Sequence, residues 1–144
     1  MSGVELIIMI VVRKGKDLFV RMTDGEDLLS GLSGLDVTSA VIVGGVGMVR
    51  DLRAGYWNGE SYEEHRVDQP AELLTMQGNI AMHGSERIVH CHLSVARRDG
   101  TLAGGHLLGA TVVNTAEIAI RLLPGITLER REEETGLLGL YPAG

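Results

Sequence analysis

Cysteine, aromatic residues and long apolar runs are scarce in this chain, and each scarcity excludes something. The single Cys91 cannot form an intrachain disulfide, so no disulfide framework holds the fold and a reducing compartment suits it. With Phe19, Tyr56, Trp57, Tyr62 and Tyr141 as the whole aromatic complement, the core has to be assembled from Val, Ile, Leu and Met. Val4 to Val12 is apolar, but Glu5 interrupts it, it is too short to span a membrane, and no small-residue cleavage site follows. Basic charge is also in deficit. Thirteen Lys and Arg against 19 Asp and Glu leave a net charge of −6, without the electrostatic footprint that drives nucleic-acid binding. A soluble, cytoplasmic protein with neither membrane nor direct nucleic-acid partner is expected.

What the chain does have is enough apolar material for one domain. At 144 residues with 44% hydrophobic composition, it can bury an ordinary core and is not disordered. Twenty glycines imply many tight turns or close backbone contacts. The chain divides into a domain over residues 1–131 and a tail over 132–144, made of the solvated run Glu132-Glu133-Glu134 and a small apolar stretch that docks or frays.

Short apolar runs bounded by turn residues recur every 8–12 positions, which points to strands. Glu5 to Arg13 and Asp17 to Met22 fit a hairpin around a Gly-containing turn, and the first, nearly all apolar, is expected inside the sheet with both faces covered. A helix is expected next, with Asp24 as N-cap, Glu26 and Asp27 at the positive end of its dipole, and Leu28, Leu29, Leu32 and Leu35 along one face. Ser39 to Val43 reads as a strand running into Gly44-Gly45-Val46-Gly47. A phosphate-binding turn needs a following helix, but Met48 to Asp51 reads as strand, so a bulge or close backbone approach is the better account. Asn58-Gly59 marks a hairpin turn, His65 lies on a charged exposed face, and His83 sits in a turn. Leu107 to Val113 and Ile126 to Arg131 read as strands, and Ala116 to Leu123 fits either a strand or a short helix. Together these give an α+β domain, a mainly antiparallel sheet with one or two helices packed on it.

The chemistry concentrates in Ile88 to Ala96 and the Gly104-Gly105-His106 that follows. In a strand, successive side chains alternate faces, so His90, His92 and Ser94 share one side and Val89, Cys91, Leu93 and Val95 the other. Imidazoles at i and i+2 have Cα atoms roughly 6.5–7 Å apart and can bend toward one point. A third imidazole, His106, arrives after a turn. Three imidazoles suit a divalent metal such as Zn²⁺ and leave one tetrahedral position open. The competing account is three separately hydrogen-bonded histidines on a polar face. Gly104 and Gly105 let the backbone approach the site, Cys91 faces away as a small core hydrophobe, and Asn79 or Glu117 is placed to orient the imidazoles from outside. Ser94 has no third residue to complete a serine triad.

The order of these pieces resembles the plants and prokaryotes conserved (PPC) domain, which also occurs in plant AT-hook nuclear proteins. Gly25-Glu26-Asp27-Leu28, Gly44-Gly45-Val46-Gly47, Glu72-Leu73-Leu74 with Gly78-Asn79-Ile80, and Thr111-Val112-Val113 with Ala116-Glu117 match it. His90-Cys91-His92-Leu93-Ser94 with Gly104-Gly105-His106-Leu107-Leu108 is the most specific part. The resemblance covers roughly residues 5–131. It implies a homotrimer with a histidine metal site near the subunit boundaries. The plant AT-hook, built on Arg-Gly-Arg-Pro, is absent from this sequence. The expected function is therefore a stand-alone, trimeric metal- or ligand-binding or regulatory module with a small-molecule ligand. The alternative is a metal-dependent hydrolase that acts on a small molecule through a metal-bound water, with Glu117 as acid or base.

Overall fold

The structure, a computed structural model, describes residues 8–144. Alternation of β-branched and polar residues makes strands of most of this span, in the order β1 (Ile10–Lys14), β2 (Asp17–Thr23), α1 (Leu28–Ser33), β3 (Ala40–Trp57), β4 (Tyr62–Val67), β5 (Ala71–His83), β6 (Glu86–Ala96), β7 (Leu102–Leu122), β8 (Thr127–Glu132) and β9 (Leu138–Ala143). All nine belong to one sheet. Every strand pairing is antiparallel except a single parallel contact of β5 with β8, at Met82 and Glu129, so the sheet is mixed. No helix among the described residues is long and apolar enough to cross a membrane.

The long strands bend and close on themselves. β3 pairs with β5, β5 with β6, β6 with β7, and β7 again with β3. Inside this ring lie the apolar sides of the strands, including Val49, Leu52, Met76, Ile80, Cys91, Val95, Val112 and Ile118, all at most 1% exposed. Aliphatic and sulfur-bearing side chains fill the core, as the shortage of aromatics requires.

Several sequence expectations are corrected. β1 is exposed at every residue, because it is an edge strand paired only with β2 and no layer covers it. The part of the expected run over residues 5–7 lies outside the described residues. The helix is a short one, and its N-cap is Asp27 rather than Asp24, with the Asp27 carboxylate accepting from the Ser30 N–H at 2.7 Å. Asp24 accepts instead from the Asn114 N–H, and Glu26 turns back to the Thr23 N–H at 2.6 Å. Leu28 and Leu32 form the buried face of this helix.

The glycine-rich stretch after Val43 stays within β3, and the pairing slips between Ile42 and Gly44 and again between Gly47 and Val49. Gly47 has φ +153, and a Cβ there would collide with the Thr115 carbonyl. The stretch is a close backbone crossing, as the missing helix indicated. Ala116 to Leu123 is strand almost throughout, because β7 runs unbroken from 102 to 122. Beyond Arg131 the chain keeps its order: residues 138–143 pair antiparallel with β8 as β9.

Candidate metal centre

His90 and His92 project from one side of β6, whose other side sends Cys91, Leu93 and Val95 into the core. His106 enters from β7, directly opposite His92 in the β6–β7 register and opposite Gly55 of β3. This three-strand junction brings the imidazoles together. One potential ligand atom from each of His90, His92 and His106 lies within 4.8 Å of the other two, and the His90 and His92 Nε2 atoms are 3.1 Å apart. Zn–N bonds of 2.0–2.1 Å at tetrahedral angles set nitrogens about 3.3 Å apart. The pair on β6 is already near that separation, and a nitrogen of His106 lies within 4.8 Å of both. The donor set fits a borderline divalent ion.

Glycines make the junction possible. A Cβ on Gly104 would collide with the Leu93 carbonyl and one on Gly78 with the His90 carbonyl, so β7 and β5 press against β6 backbone to backbone. Gly105, at φ +150, sits 2.7 Å from the Gly55 carbonyl oxygen at its would-be Cβ. These residues bring strands together and do not form a turn beside the site. A Cβ on Gly55 would meet the Tyr62 ring, and this open space lets Tyr62 stack on His106 with ring centres 4.5 Å apart. The Tyr62 hydroxyl lies 3.5 Å from His106 Nδ1.

Arg130 of β8 forms the other wall. It is 7% exposed. Its Nη2 donates to Asn79 Oδ1 at 2.7 Å and reaches His90 Nδ1 at 3.2 Å, while Nη1 donates to the Leu138 carbonyl. His83 at the end of β5 donates Nδ1–H to the Arg130 carbonyl, which fixes the position of β8. A guanidinium only donates, so Nδ1 of His90 accepts, and its Nε2 carries the proton toward His92. Asn79 makes no contact of its own with an imidazole here; its Oδ1 accepts from Arg130, which in turn reaches His90. Glu117 stands away from the site. It lies eleven residues beyond His106 along unbroken β7, opposite Arg21 and Val46, and accepts from Thr115 Oγ1. Leu107–Val113 and Ala116–Leu123 read as separate elements, but they are one continuous strand, which carries Glu117 away. Ser94 pairs with Thr75 at 2.6 Å and has no base beside it.

Tyr62 and Arg130 escaped the sequence reading. The Asn-Gly turn fixes Tyr62 opposite Trp57, a signal that an aromatic pair stands there, but it gives no hint of His106. Arg130 lies in Ile126–Arg131, which reads as a strand, and nothing local marks it as buried.

Desolvation by burial lowers the pKa of His90 to about 4, aided by the positive field of Arg130 and by the other two imidazoles. Burial, then His92, lowers that of His106. Burial pushes the Cys91 thiol up to about 12, which fits an inert core residue. His90 is therefore neutral at pH 7, the state that a metal requires. A folded-state pKa below the unfolded 6.5 means that the unfolded chain binds protons more readily in acid. Stability of the metal-free protein is expected to be independent of this residue above about pH 6.5 and to fall as pH drops from 6.5 toward 4. Urea midpoints measured across that window should decline, and His90→Gln should flatten the decline; an equally steep decline in the variant refutes the assignment.

The chain is a single β-rich domain with a histidine cluster where three strands meet, three imidazoles that could hold a metal ion. The model of the plants and prokaryotes conserved (PCC, also written PPC) domain matches residues 9–124, and the chain belongs to this family. The fold is shared with a PPC protein from Pyrococcus horikoshii at 26% identity and TM-score 0.82, covering 93% of this chain and 94% of that one. A protein from Archaeoglobus fulgidus described as metal-containing is 28% identical, with TM-score 0.80 and coverage of 94% and 99%. A Bacteroides thetaiotaomicron protein with a provisional DNA-binding name shares the fold at 20% identity, with TM-score 0.86 and coverage of 94% and 98%. No curated protein matches the sequence.

Proposed function

We propose that this chain is a homotrimeric metal-binding module in which His90, His92 and His106 hold one zinc-like divalent ion, and that it works as a cytoplasmic ligand-binding or regulatory protein. The observation that carries this reading is the convergence of three imidazole ligand atoms within 4.8 Å. The metal content of the Archaeoglobus fulgidus relative is consistent with it. When bound, such an ion supplies Lewis acidity at an open position. The chain's own residues do the rest: Arg130 and Tyr62 position His90 and His106, and the packed strands fix the spacing. Elemental analysis of protein purified without chelator should find one zinc per chain, and a zinc-free protein that takes up no Zn²⁺ on titration rejects the reading.

The hydrolase alternative uses the same cluster, but it lacks a base. The adjoining cleft presents one carboxylate, Glu133, and that carboxylate accepts from the Tyr141 hydroxyl at 2.9 Å. The DNA-binding name of the Bacteroides thetaiotaomicron protein is not extended to this chain, whose net charge of −6 opposes a phosphate backbone.

Trimer formation has its own support. Val12, Phe19 and Val43 are 53–63% exposed around one shallow apolar groove on the β1–β2–β7–β3 side of the sheet. An exposed edge strand beside an apolar face is the kind of surface that symmetric association covers. Light scattering at micromolar concentration should return three times 15.5 kDa, and a mass of 15.5 kDa rejects the trimer.

A further inference from the structure

We propose that the cleft between the histidine cluster and the β8–β9 hairpin is a receptor for a small oxyanion, a carboxylate or phosphate group, and that Arg130 is the residue selecting it. The proposal rests on the metal reading above and names the ligand class of the same site. The cleft has a volume of about 420 Å³; Tyr62, His90, His106, Arg130 and Leu138 line it, and its one carboxylate, Glu133, is held at the rim by the Tyr141 hydroxyl. Its outer wall runs from Gly136 to Gly139, beyond residues 9–124 of the family match.

Arg130 is the reason for choosing an anion. Its guanidinium is almost fully buried, yet no carboxylate among the described residues pairs with it. Its protein acceptors are neutral: the Asn79 amide, the Leu138 carbonyl and the His90 ring. Its Nε is the one buried side-chain nitrogen or oxygen among the described residues without a hydrogen-bond partner. A buried cation with an unmet donor is costly unless something negative compensates it. The contact with His90 is also provisional. Metal ligation through His90 Nε2 needs the lone pair that the Arg130–Nδ1 hydrogen bond leaves protonated, so loading the site turns Nδ1 into a donor and frees one of the two Nη2 hydrogens, the other staying on Asn79. Nε and Nη2 share one edge of the guanidinium, the edge that takes a carboxylate or phosphate by two parallel bonds. With the cluster loaded, an oxyanion has a dication on one side and this freed edge on the other. Tyr62 and Leu138 give the cleft apolar flanks beside the pair.

The test uses full-length protein loaded with Co²⁺, whose visible spectrum reports changes at the metal. Cobalt content is measured in every sample, and inorganic phosphate and acetate are titrated separately. A saturable spectral change with either anion supports the proposal, and the stronger of the two identifies the preferred group. Arg130→Met should weaken that binding at least about tenfold, with Arg130→Lys in between, because a hydrogen-bonded charge pair is lost. Cobalt retained at one per chain with no saturable change in the unsubstituted protein overturns the proposal, whether or not the variants fold. Equal anion affinity in folded, cobalt-loaded Arg130→Met overturns it too. Failure to retain cobalt in the unsubstituted protein instead rejects the metal reading on which the proposal stands.

Discussion

Replacing His92 by alanine should leave purified protein with almost no zinc, while the fold and oligomeric mass stay unchanged. His92 is the exposed member of the trio, so its removal opens no core cavity, and Cys91 and Leu93 on either side remain packed. The effect on metal is large because a tetrahedral site with three protein ligands falls to two. Even residues that only orient a ligand cost roughly 10–100-fold in metal affinity when lost, so a direct ligand should cost more than that. His90→Ala and His106→Ala are expected to act in the same direction, but His90 also contacts Arg130 and His106 stacks on Tyr62, so those substitutions disturb more than one interaction. Elemental analysis and Zn²⁺ titration of His92→Ala, with circular dichroism as a folding control, decide the matter. Unchanged zinc content in a folded variant would falsify the three-histidine site.

That His90 and His92 share a face was legible in the sequence because strand periodicity is a local property and Ile88 to Ala96 states it without interruption. The arrival of His106 was legible in part, through the glycine pair that precedes it. What no local pattern carries is strand length and long-range register. Leu107–Val113 reads as a strand and Ala116–Leu123 as either a strand or a short helix, so the two look like separate elements. In the fold Asn114 adopts φ +63 within one strand and the chain continues. Along that one continuous strand Glu117 stands eleven residues from His106, a distance that local pattern does not reveal. Arg130 was invisible for a complementary reason. Its neighbours Glu129, Arg131 and Glu132 are exposed, and burial of one member of a charged run depends on β8 meeting β5 at Met82, some fifty residues away in sequence. The helix failed more mildly. Asp24 reads as the cap with Glu26 and Asp27 inside the first turn, and only the bond from the Ser30 N–H to the Asp27 carboxylate shows that the helix starts three residues later.

Gly104→Ala tests how tightly the strand crossing controls the site. The residue is solvent-exposed and is absent from those with left-handed φ, so neither core packing nor backbone strain would flag it. Its constraint is the neighbouring strand. A Cβ there would collide with the Leu93 carbonyl and stand 3.0 Å from the Ser94 Cα, and both groups belong to backbone that has no rotamer to escape into. The variant must therefore push β7 away from β6 where Leu93 pairs with Gly105 and Ser94 with Gly104, one step from the His92–His106 pair. Overpacking of this kind costs about 1–3 kcal/mol and sometimes more, and the lost ladder bonds place Gly104→Ala at the upper end, about 3 kcal/mol. Chemical denaturation should show that loss, and Zn²⁺ affinity should fall with it, because a displacement of about 1 Å at His106 takes one imidazole out of bonding range of 2.0–2.1 Å. By contrast, a Cβ on Gly125 meets nothing within 4 Å, so Gly125→Ala is the matched control and should retain both stability and metal. If Gly104→Ala melts like Gly125→Ala and binds zinc as tightly, the strand crossing does not set the geometry of the histidines.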